Sequence, residues 1–264
     1  MRVKWSQNFL ADANIASRCV AALNSTESDE VLEIGPGRGV LTQELSQKSG
    51  KLIAVEIDPK LAASVKTKFS SNPKVRVENC DFLDADLDAL GFSGDKVKLI
   101  GNLPYAVVSP IIQKVLAWKK WASAVFMVQK EVGDRMLAAP GSRTYGILSI
   151  AVQAQCAPQK LFHVPRGCFR PAPHVESLVI GLTPLAEPRF DRAREAEFFK
   201  VVRGAFAHRR KTLLNSLEYA LELPSAKLSA AIRDAGLSPG VRAETLGIDD
   251  FSRLTKVLYN GRSD

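Results

Sequence analysis

The sequence lacks any apolar run near the roughly 18 to 20 residues that cross a bilayer, and its first residues lack the apolar core of a signal peptide. We therefore expect neither a membrane protein nor a secreted one. Cysteine is scarce, and the four that occur match neither a CxxC metal site nor a dense disulfide framework. The three histidines have no metal-ligand spacing, so we expect no metal cofactor. Cysteine usage of this kind predicts a reducing compartment, the cytoplasm.

Acidic residues are in the minority, since 28 Asp and Glu against 36 Lys and Arg give a net charge of +8 across 264 residues. A basic balance favours a polyanionic partner, although many basic proteins simply have a solvated basic face. Hydrophobic residues make up 46% of the chain, which is too many for a disordered protein. The length suits a full α/β domain joined to a smaller one.

Short apolar runs alternate with amphipathic stretches through the first two thirds of the chain. The runs are rich in β-branched residues and predict strands at 30–34, 51–56, 75–77, 97–100 and 124–128. Segments 58–69 and 109–118 have helical periodicity. This alternation predicts an α/β fold with a mostly parallel sheet and helices on both faces.

The pattern changes near Pro184. Two later apolar runs, 147–152 and 177–182, predict strands that close one edge of the sheet, with a proline-rich loop between them. Beyond Pro184 only helices are predicted, at 194–206, 210–221, 225–234 and 249–258. We therefore expect an α/β domain in residues 1–185 and a small all-helical domain in residues 186–264.

A glycine-rich segment, 33–39, follows the first predicted strand directly and precedes a helix. Gly35 and Gly37 allow backbone angles barred to other residues and let a ligand approach the main chain, although a tight turn without a ligand would look alike. Glu56 ends the next strand, where a carboxylate can accept both hydroxyls of a ribose. Val40 stands where the dinucleotide fingerprint needs its third glycine, which disfavours a pyrophosphate and hence a nicotinamide dehydrogenase.

Two further carboxylates favour a nucleoside ligand with an amino group. Glu33, which leads into the glycine segment, would repel a phosphate but suits an amino group and a sulfonium. Asp81 follows the strand at 75–77, and it can accept a hydrogen bond from the amino group of an adenine with Phe82 beside the ring face. An ordinary Asp cap at a strand end is the alternative for Asp81 alone.

The segment Asn102-Leu103-Pro104-Tyr105 follows the strand at 97–100 and suits attack by an exocyclic amine of a nucleobase. Such an amine is a poor nucleophile because its lone pair is delocalised into the ring. The side-chain oxygen of Asn102 and the carbonyl of Leu103 can accept its two N–H bonds and localise that lone pair. Pro104 stiffens the turn and has no competing N–H, while Tyr105 offers a face for stacking. A turn that merely ends a strand is the alternative.

These motifs together resemble the ribosomal RNA adenine dimethyltransferases, which use S-adenosylmethionine. Segments 7–10, 126–132 and 169–173 match as well, so the resemblance covers nearly the whole chain. It implies a Rossmann-like methyltransferase domain in residues 1–185 and an RNA-binding helical domain in residues 186–264. It further implies cofactor contacts at Asn8, Leu10, Gly35, Gly37, Glu56, Asp81 and Asn102. The implied catalytic residues are Asn102, Leu103, Pro104, Tyr105 and Phe169, with Phe169 stacking on the target base opposite Tyr105.

The branch of the family is indicated by Leu103, by Ser109 to Ile112, by Tyr145-Gly146 and by segment 209–213, which resemble the housekeeping enzymes. That branch dimethylates two adjacent adenosines in a hairpin loop of small-subunit rRNA. Ser6 and Arg166 depart from the family's usual residues, at positions that bear on loop geometry and RNA contacts. The resemblance implies a pre-ribosomal 30S particle as the partner, and a monomer is the simplest expectation.

Basic residues suggest where the RNA would lie. One cluster in the helical region comprises Arg203, Arg209, Arg210 and Lys211, and a second set is expected around the pocket mouth: Lys4, Arg38, Lys130, Arg143, Arg166 and Arg170. A solvated helix face is an equal alternative for the first cluster. Two other functions stay open: a large-subunit rRNA methyltransferase that confers antibiotic resistance, and a ribosome assembly factor that acts mainly by binding.

Overall fold

The computed structural model describes residues 8–208 and 210–260, so Lys4, Ser6, Gln7 and Arg209 lie outside the described residues. The described chain divides into two compact units. The first contains residues 8–133 and 158–184, and the second contains residues 134–157 and the described part of 185–260. No helix in these ranges is both long and apolar enough to cross a membrane.

The helices and strands alternate through most of the first unit, as predicted. In chain order the elements of the described chain are β1 (Phe9–Leu10), α1 (Ala13–Leu23), β2 (Glu30–Ile34), α2 (Val40–Lys48), β3 (Lys51–Glu56), α3 (Pro59–Lys68), β4 (Val75–Asn79), β5 (Val97–Asn102), α4 (Val108–Trp118), β6 (Trp121–Gln129), α5 (Lys130–Met136), α6 (Ile147–Gln153), β7 (Cys156–Val164), β8 (Phe169–Arg170), β9 (Ser177–Pro184), α7 (Glu195–Phe206), α8 (Leu213–Leu221), α9 (Ser225–Asp234) and α10 (Ile248–Tyr259).

A seven-stranded sheet in the order β4-β3-β2-β5-β6-β9-β7 forms the centre of the first unit. The strands from β4 to β6 are parallel to one another, and β9 runs antiparallel to β6. The central strands are rich in apolar residues because both faces of such a sheet are covered, and Val31, Leu32, Leu52 and Ile53 are fully buried. The predicted α/β fold is confirmed.

The register of the three central strands brings the predicted motifs together. Ile34 at the end of β2 lies opposite Val55 in β3 and Gly101 in β5. The next residues along the three strands are Gly35, Glu56 and Asn102. Because the strands are parallel, these three residues lie side by side at one edge of the sheet.

Two predictions for the later part of the chain were wrong. Residues 147–152, predicted as a strand, form helix α6, because a short continuous apolar run fits a buried helix as well as a buried strand. The predicted proline-rich loop contains strand β7, which includes Pro158. A proline is tolerated there since β7 is the last strand of the sheet order, and an edge strand has N–H positions that need no ladder partner.

The second unit is helical and includes a segment that the sequence analysis assigned to residues 1–185. Residues 134–157 pack with the carboxyl-terminal helices, where Tyr145 and Ile150 join the same core cluster as Phe198 and Leu254. The Tyr145 hydroxyl donates to the carbonyl of Leu246 at 2.9 Å. The helical unit therefore contains residues 134–157 in addition to the chain beyond residue 184.

The aromatic side chains of α7 pack into the core of the second unit. Phe198 and Phe206 are buried in the core cluster, and Phe199 is partly buried against it. Phe190 stacks on Phe198 with ring centroids 4.7 Å apart. These rings are therefore unavailable as a base-stacking platform.

Candidate active site

A cavity of about 310 Å³ lies in the first unit, at the carboxyl ends of β2, β3 and β5. Ligands of open parallel sheets bind at this edge, because the loops that follow the strands diverge there. Nine of the predicted site residues line the cavity: Asn8, Gly35, Gly37, Glu56, Asp81, Asn102, Leu103, Pro104 and Tyr105.

The glycine segment turns sharply beneath the cavity. Gly35 and Gly37 have φ values of 69° and 56°, in the left-handed region that other residues avoid. The amide of Gly35 donates to the carbonyl of Val55 at 2.9 Å, which holds the turn against β3. A Cβ atom on Gly37 would lie 2.9 Å from the ring of Phe9, whereas one on Gly35 would meet nothing within 4 Å. Gly37 is therefore needed for packing, and Gly35 leaves space on the cavity side.

Glu56 is a buried carboxylate, only 2% exposed, and both of its oxygens have hydrogen-bond partners. Its Oε2 accepts a hydrogen bond from the amide of Gly37 and its Oε1 accepts one from the amide of Asp58, both at 2.9 Å. Burial raises the pKa of Glu56, and these two hydrogen bonds oppose that rise. Each oxygen retains a lone pair, so the carboxylate can still accept hydrogen bonds from a ligand in the cavity.

Glu33 lies outside the cavity wall and is fully buried. Its Oε2 accepts a hydrogen bond from the Thr42 hydroxyl at 2.7 Å, and its Oε1 has no partner among the described residues. Burial, with a smaller contribution from the charge of Glu56, raises the pKa of Glu33 to about 8. The side chain is therefore largely neutral at pH 7, and the interpretation that it attracts a cationic ligand stays a prediction.

Asp81 and Phe82 form the wall that follows β4. The Asp81 carboxylate accepts a hydrogen bond from the amide of Leu83 at 2.8 Å, which closes a tight turn. Lys114 of α4 holds this turn from behind, donating to the carbonyls of Leu83 at 2.7 Å and Ala85 at 2.5 Å. Lys114 belongs to none of the predicted motifs, and its one signal in the sequence is that it is a single lysine within an apolar helix.

Asn102 is oriented by the amino-terminal segment. Its Nδ2 donates to the carbonyl of Asn8 at 2.9 Å, so Oδ1 is the amide atom left to accept hydrogen bonds in the cavity. The next residue is fixed as well, since the amide of Leu103 donates to the carbonyl of Met127 at 3.0 Å. Two acceptors that follow one another along the chain are thus presented on a rigid turn.

Tyr105 completes this wall at the start of a short 3₁₀ turn, Tyr105–Val107. The ring is half-buried, and its hydroxyl forms a hydrogen bond of 2.9 Å with the Oγ of Ser177. Burial raises the pKa of the Tyr105 phenol, which is therefore protonated at neutral pH. The arrangement offers an aromatic face next to the acceptor pair.

A family model described as ribosomal RNA adenine dimethylase matches residues 1–260. The chain belongs to the ribosomal RNA adenine dimethylase family. It is 42% identical to ribosomal RNA small subunit methyltransferase A of Moorella thermoacetica, over 98% of this chain and 93% of that protein. It is 44% identical to the protein of the same name from Desulfitobacterium hafniense, over 96% and 90% of the two chains.

Solved structures of dimethylase-like proteins share the fold across both units. The crystal structure of a dimethyladenosine transferase from Plasmodium falciparum is 27% identical, with a TM-score of 0.80 over 96% of this chain and 98% of that one. The 23S rRNA methyltransferase ErmE is also 27% identical, with a lower TM-score of 0.70 over 95% and 99% of the two chains. The methyltransferase sheet followed by a helical region is therefore shared with both.

Two residues that the dimethylase resemblance implies in the site lie elsewhere in this structure. Leu10 and Phe169 face each other across the antiparallel pair of β1 and β8, and their exposed fractions are 6% and 0%. Both belong to a core cluster with Ala16 and Val164, and neither lines the cavity. Phe169 does not line the cavity in this arrangement, and its stacking role, like the Leu10 contact, stays a prediction.

Phe9 lines the cavity, although the dimethylase resemblance implied a contact only for its neighbours Asn8 and Leu10. Its ring lies against Gly37 and beneath the guanidinium of Arg38, which is 4.9 Å from the ring centroid. Other unpredicted lining residues are apolar and follow strand ends: Ile57, Leu83, Ala106 and Val107. Among residues 8–208 and 210–260, no group of three or more His, Cys, Asp or Glu is placed to hold a metal ion, and the expected lack of a metal stays a prediction.

Proposed function

We propose that this chain transfers methyl groups from S-adenosylmethionine to the N6 atoms of two adjacent adenosines in a hairpin loop of small-subunit rRNA. The observation that carries the proposal is the hydrogen bond from Asn102 Nδ2 to the carbonyl of Asn8, which leaves Oδ1 as the acceptor of a side chain that lines the same cavity as Glu56. A nucleoside donor and a nucleobase amine would meet at this point.

The cavity residues offer hydrogen-bond acceptors that suit S-adenosylmethionine. Glu56 retains acceptor capacity for both ribose hydroxyls, and Asp81 can accept from the adenine amino group beside Phe82. Space at Gly35 lets the ligand approach the main chain. Bound there, S-adenosylmethionine supplies an electrophilic methyl group on a sulfonium.

The chain's own contribution to the reaction is to orient the target amine. Asn102 Oδ1 and the Leu103 carbonyl accept its two N–H bonds, so that the N6 lone pair points out of the ring plane at the methyl carbon. Tyr105 stacks on the base and stabilises the positive charge that develops on N6 by about 1 kcal/mol. The methylated nitrogen then loses a proton to water, and no dedicated general base is required.

The housekeeping substrate is favoured over the large subunit by the relatives, since those about 40% identical carry the small-subunit name and ErmE is only 27% identical. Arg203, Arg210 and Lys211 are exposed in the second unit and are proposed to contact phosphates. A pre-ribosomal 30S particle as the partner, a monomeric state and a cytoplasmic location complete the proposal.

Transfer of labelled methyl groups from S-adenosylmethionine to purified ribosomal subunits tests this function. We expect label in small subunits that lack the modification, and mapping of the nucleotides should give two adjacent dimethyladenosines. Label confined to a large-subunit adenosine would instead assign the chain to the resistance branch.

Replacement of Gly37 by alanine should weaken cofactor binding by about tenfold. The added Cβ must displace the ring of Phe9, which lines the cavity, and the left-handed backbone is strained by about 1 to 2 kcal/mol. Gly236→Ala is the matched control, because Gly236 has a φ of 76° with nothing within 4 Å of the added atom. Both variants should unfold more easily, but only Gly37→Ala should change the Kd for S-adenosylmethionine in calorimetric titration. Equal affinity for S-adenosylmethionine in the two variants would show that the position of the Phe9 ring does not affect cofactor binding.

A further inference from the structure

The hydroxyl of Tyr105 is tied to a residue that belongs to none of the predicted motifs. Ser177 is the first residue of β9, it is fully buried, and its Oγ lies 2.9 Å from the Tyr105 hydroxyl oxygen. Its backbone is held separately, since Ser177 lies opposite Gln129 in the antiparallel ladder with β6. The side-chain hydroxyl is therefore not needed for the strand pairing and can act on Tyr105.

We propose that Ser177 is a positioning residue that fixes the ring of Tyr105, and that the second methyl transfer to each adenosine depends on it more than the first. The inference rests on the proposed function, in which Tyr105 stacks on the target base. The ring is then anchored at both ends, by the 3₁₀ turn at its backbone and by Ser177 at its hydroxyl.

The two transfers differ in how many hydrogen bonds orient the amine. In the first, both N–H bonds of N6 are accepted, one by Asn102 Oδ1 and one by the Leu103 carbonyl. The N6–methyl bond forms from the nitrogen lone pair, the sulfur–methyl bond breaks with its electron pair left on sulfur, and one N6 proton goes to water. The product amine has a single N–H, so one acceptor has no partner in the second transfer. Stacking on Tyr105 must then supply more of the orientation.

Loss of the single Ser177 hydroxyl can change the ratio of the second transfer to the first, because it removes the contact that holds the Tyr105 ring at its outer end. Without Ser177 Oγ the Tyr105 hydroxyl is left half-buried without this partner, and the ring can rotate about its side-chain torsions. Tyr105→Phe removes the same hydrogen bond from the other side while it keeps the stacking face. The two substitutions should therefore have the same effect.

The test measures N6-methyladenosine and N6,N6-dimethyladenosine by mass spectrometry in purified small subunits, with saturating S-adenosylmethionine. At equal extents of first transfer, we expect Ser177→Ala and Tyr105→Phe each to raise the mono-to-dimethyl ratio about three- to tenfold. The double variant should raise it no further than either single one. Ser49→Ala is the matched control, since Ser49 is fully buried and its hydroxyl donates to the Leu45 carbonyl at 2.7 Å outside the cavity wall.

A purely structural role would slow both transfers together and leave the ratio unchanged. An unchanged ratio in Ser177→Ala, or effects that multiply in the double variant, would overturn the inference. If Ser177→Ala does not fold, an unchanged ratio in Tyr105→Phe overturns it equally. Failure of the proposed function looks different, because the unsubstituted protein would then give no dimethyladenosine at all.

Discussion

Asn102→Ala is expected to reduce methyl transfer by at least about 10²- to 10³-fold, the loss typical when one preorganised group that acts on the transition state is removed. The acceptor that localises the N6 lone pair disappears, and no other described side chain is placed to replace it on that turn. Transfer should be measured as kcat with purified small subunits, and subunit binding should be measured separately by filter retention. We expect binding within about twofold of the unsubstituted protein, because rRNA affinity comes mainly from phosphate contacts.

Asn72→Ala controls for the loss of an amide–carbonyl hydrogen bond. Asn72 Nδ2 donates to the carbonyl of Ser46 at 3.3 Å, as Asn102 Nδ2 donates to that of Asn8 at 2.9 Å, but Asn72 does not line the cavity. Asn72→Ala should retain transfer at near the normal rate. Near-normal transfer by Asn102→Ala would show that the acceptor mechanism is wrong.

The same variant separates catalysis from binding in cells. An assembly factor that acts mainly by docking would still support small-subunit maturation when it carries Asn102→Ala. An enzyme whose modification is itself required would not. Since the substitution leaves the exposed Arg203, Arg210 and Lys211 untouched, the two outcomes do not depend on a loss of RNA contacts.

The site motifs could be predicted because each lies at the end of a strand or directly after one in the chain. Gly35, Glu56 and Asn102 come immediately after positions that are in register across β2, β3 and β5, so local patterns together with parallel pairing place them side by side. A strand can be recognised from the pattern of residues that are adjacent in the chain. A single sequence contains that pattern, so it is enough to predict where each strand ends.

Contacts between distant segments could not be predicted in this way. Ser177 is 72 residues from Tyr105, and Lys114 is 31 residues from Leu83, so nothing local indicates either pair. The apolar run at 147–152 suits a strand or a helix equally well. The contact that distinguishes them is with distant residues, since Ile150 belongs to the same helical core cluster as Phe198. The pairing of β8 with β1, which buries the Phe169 side chain, is likewise a contact between distant segments that the motif around Phe169 does not reveal.

Glu56→Ala is expected to weaken S-adenosylmethionine binding by about a hundredfold, the effect of losing roughly 3 kcal/mol of hydrogen bonding between a carboxylate and two ribose hydroxyls. Glu56 also accepts from the amides of Gly37 and Asp58, so the substitution removes partners from the glycine turn as well. Glu56→Gln is a milder change, because its amide oxygen replaces one of the two carboxylate acceptors while the volume is kept. We expect an intermediate affinity, measured as Kd by calorimetric titration.

Matched measurements decide whether Glu56 binds the ligand or only shapes the turn. S-adenosylmethionine should bind Glu27→Gln as it binds the unsubstituted protein, since the Glu27 side chain is 80% exposed and lies outside the cavity wall. Free adenine, which has no ribose, should bind Glu56→Gln and the unsubstituted protein with similar affinity if the carboxylate acts on the hydroxyls. A parallel loss of adenine affinity would mean that the turn has collapsed, and an unchanged Kd for S-adenosylmethionine would remove Glu56 from the proposed cofactor site.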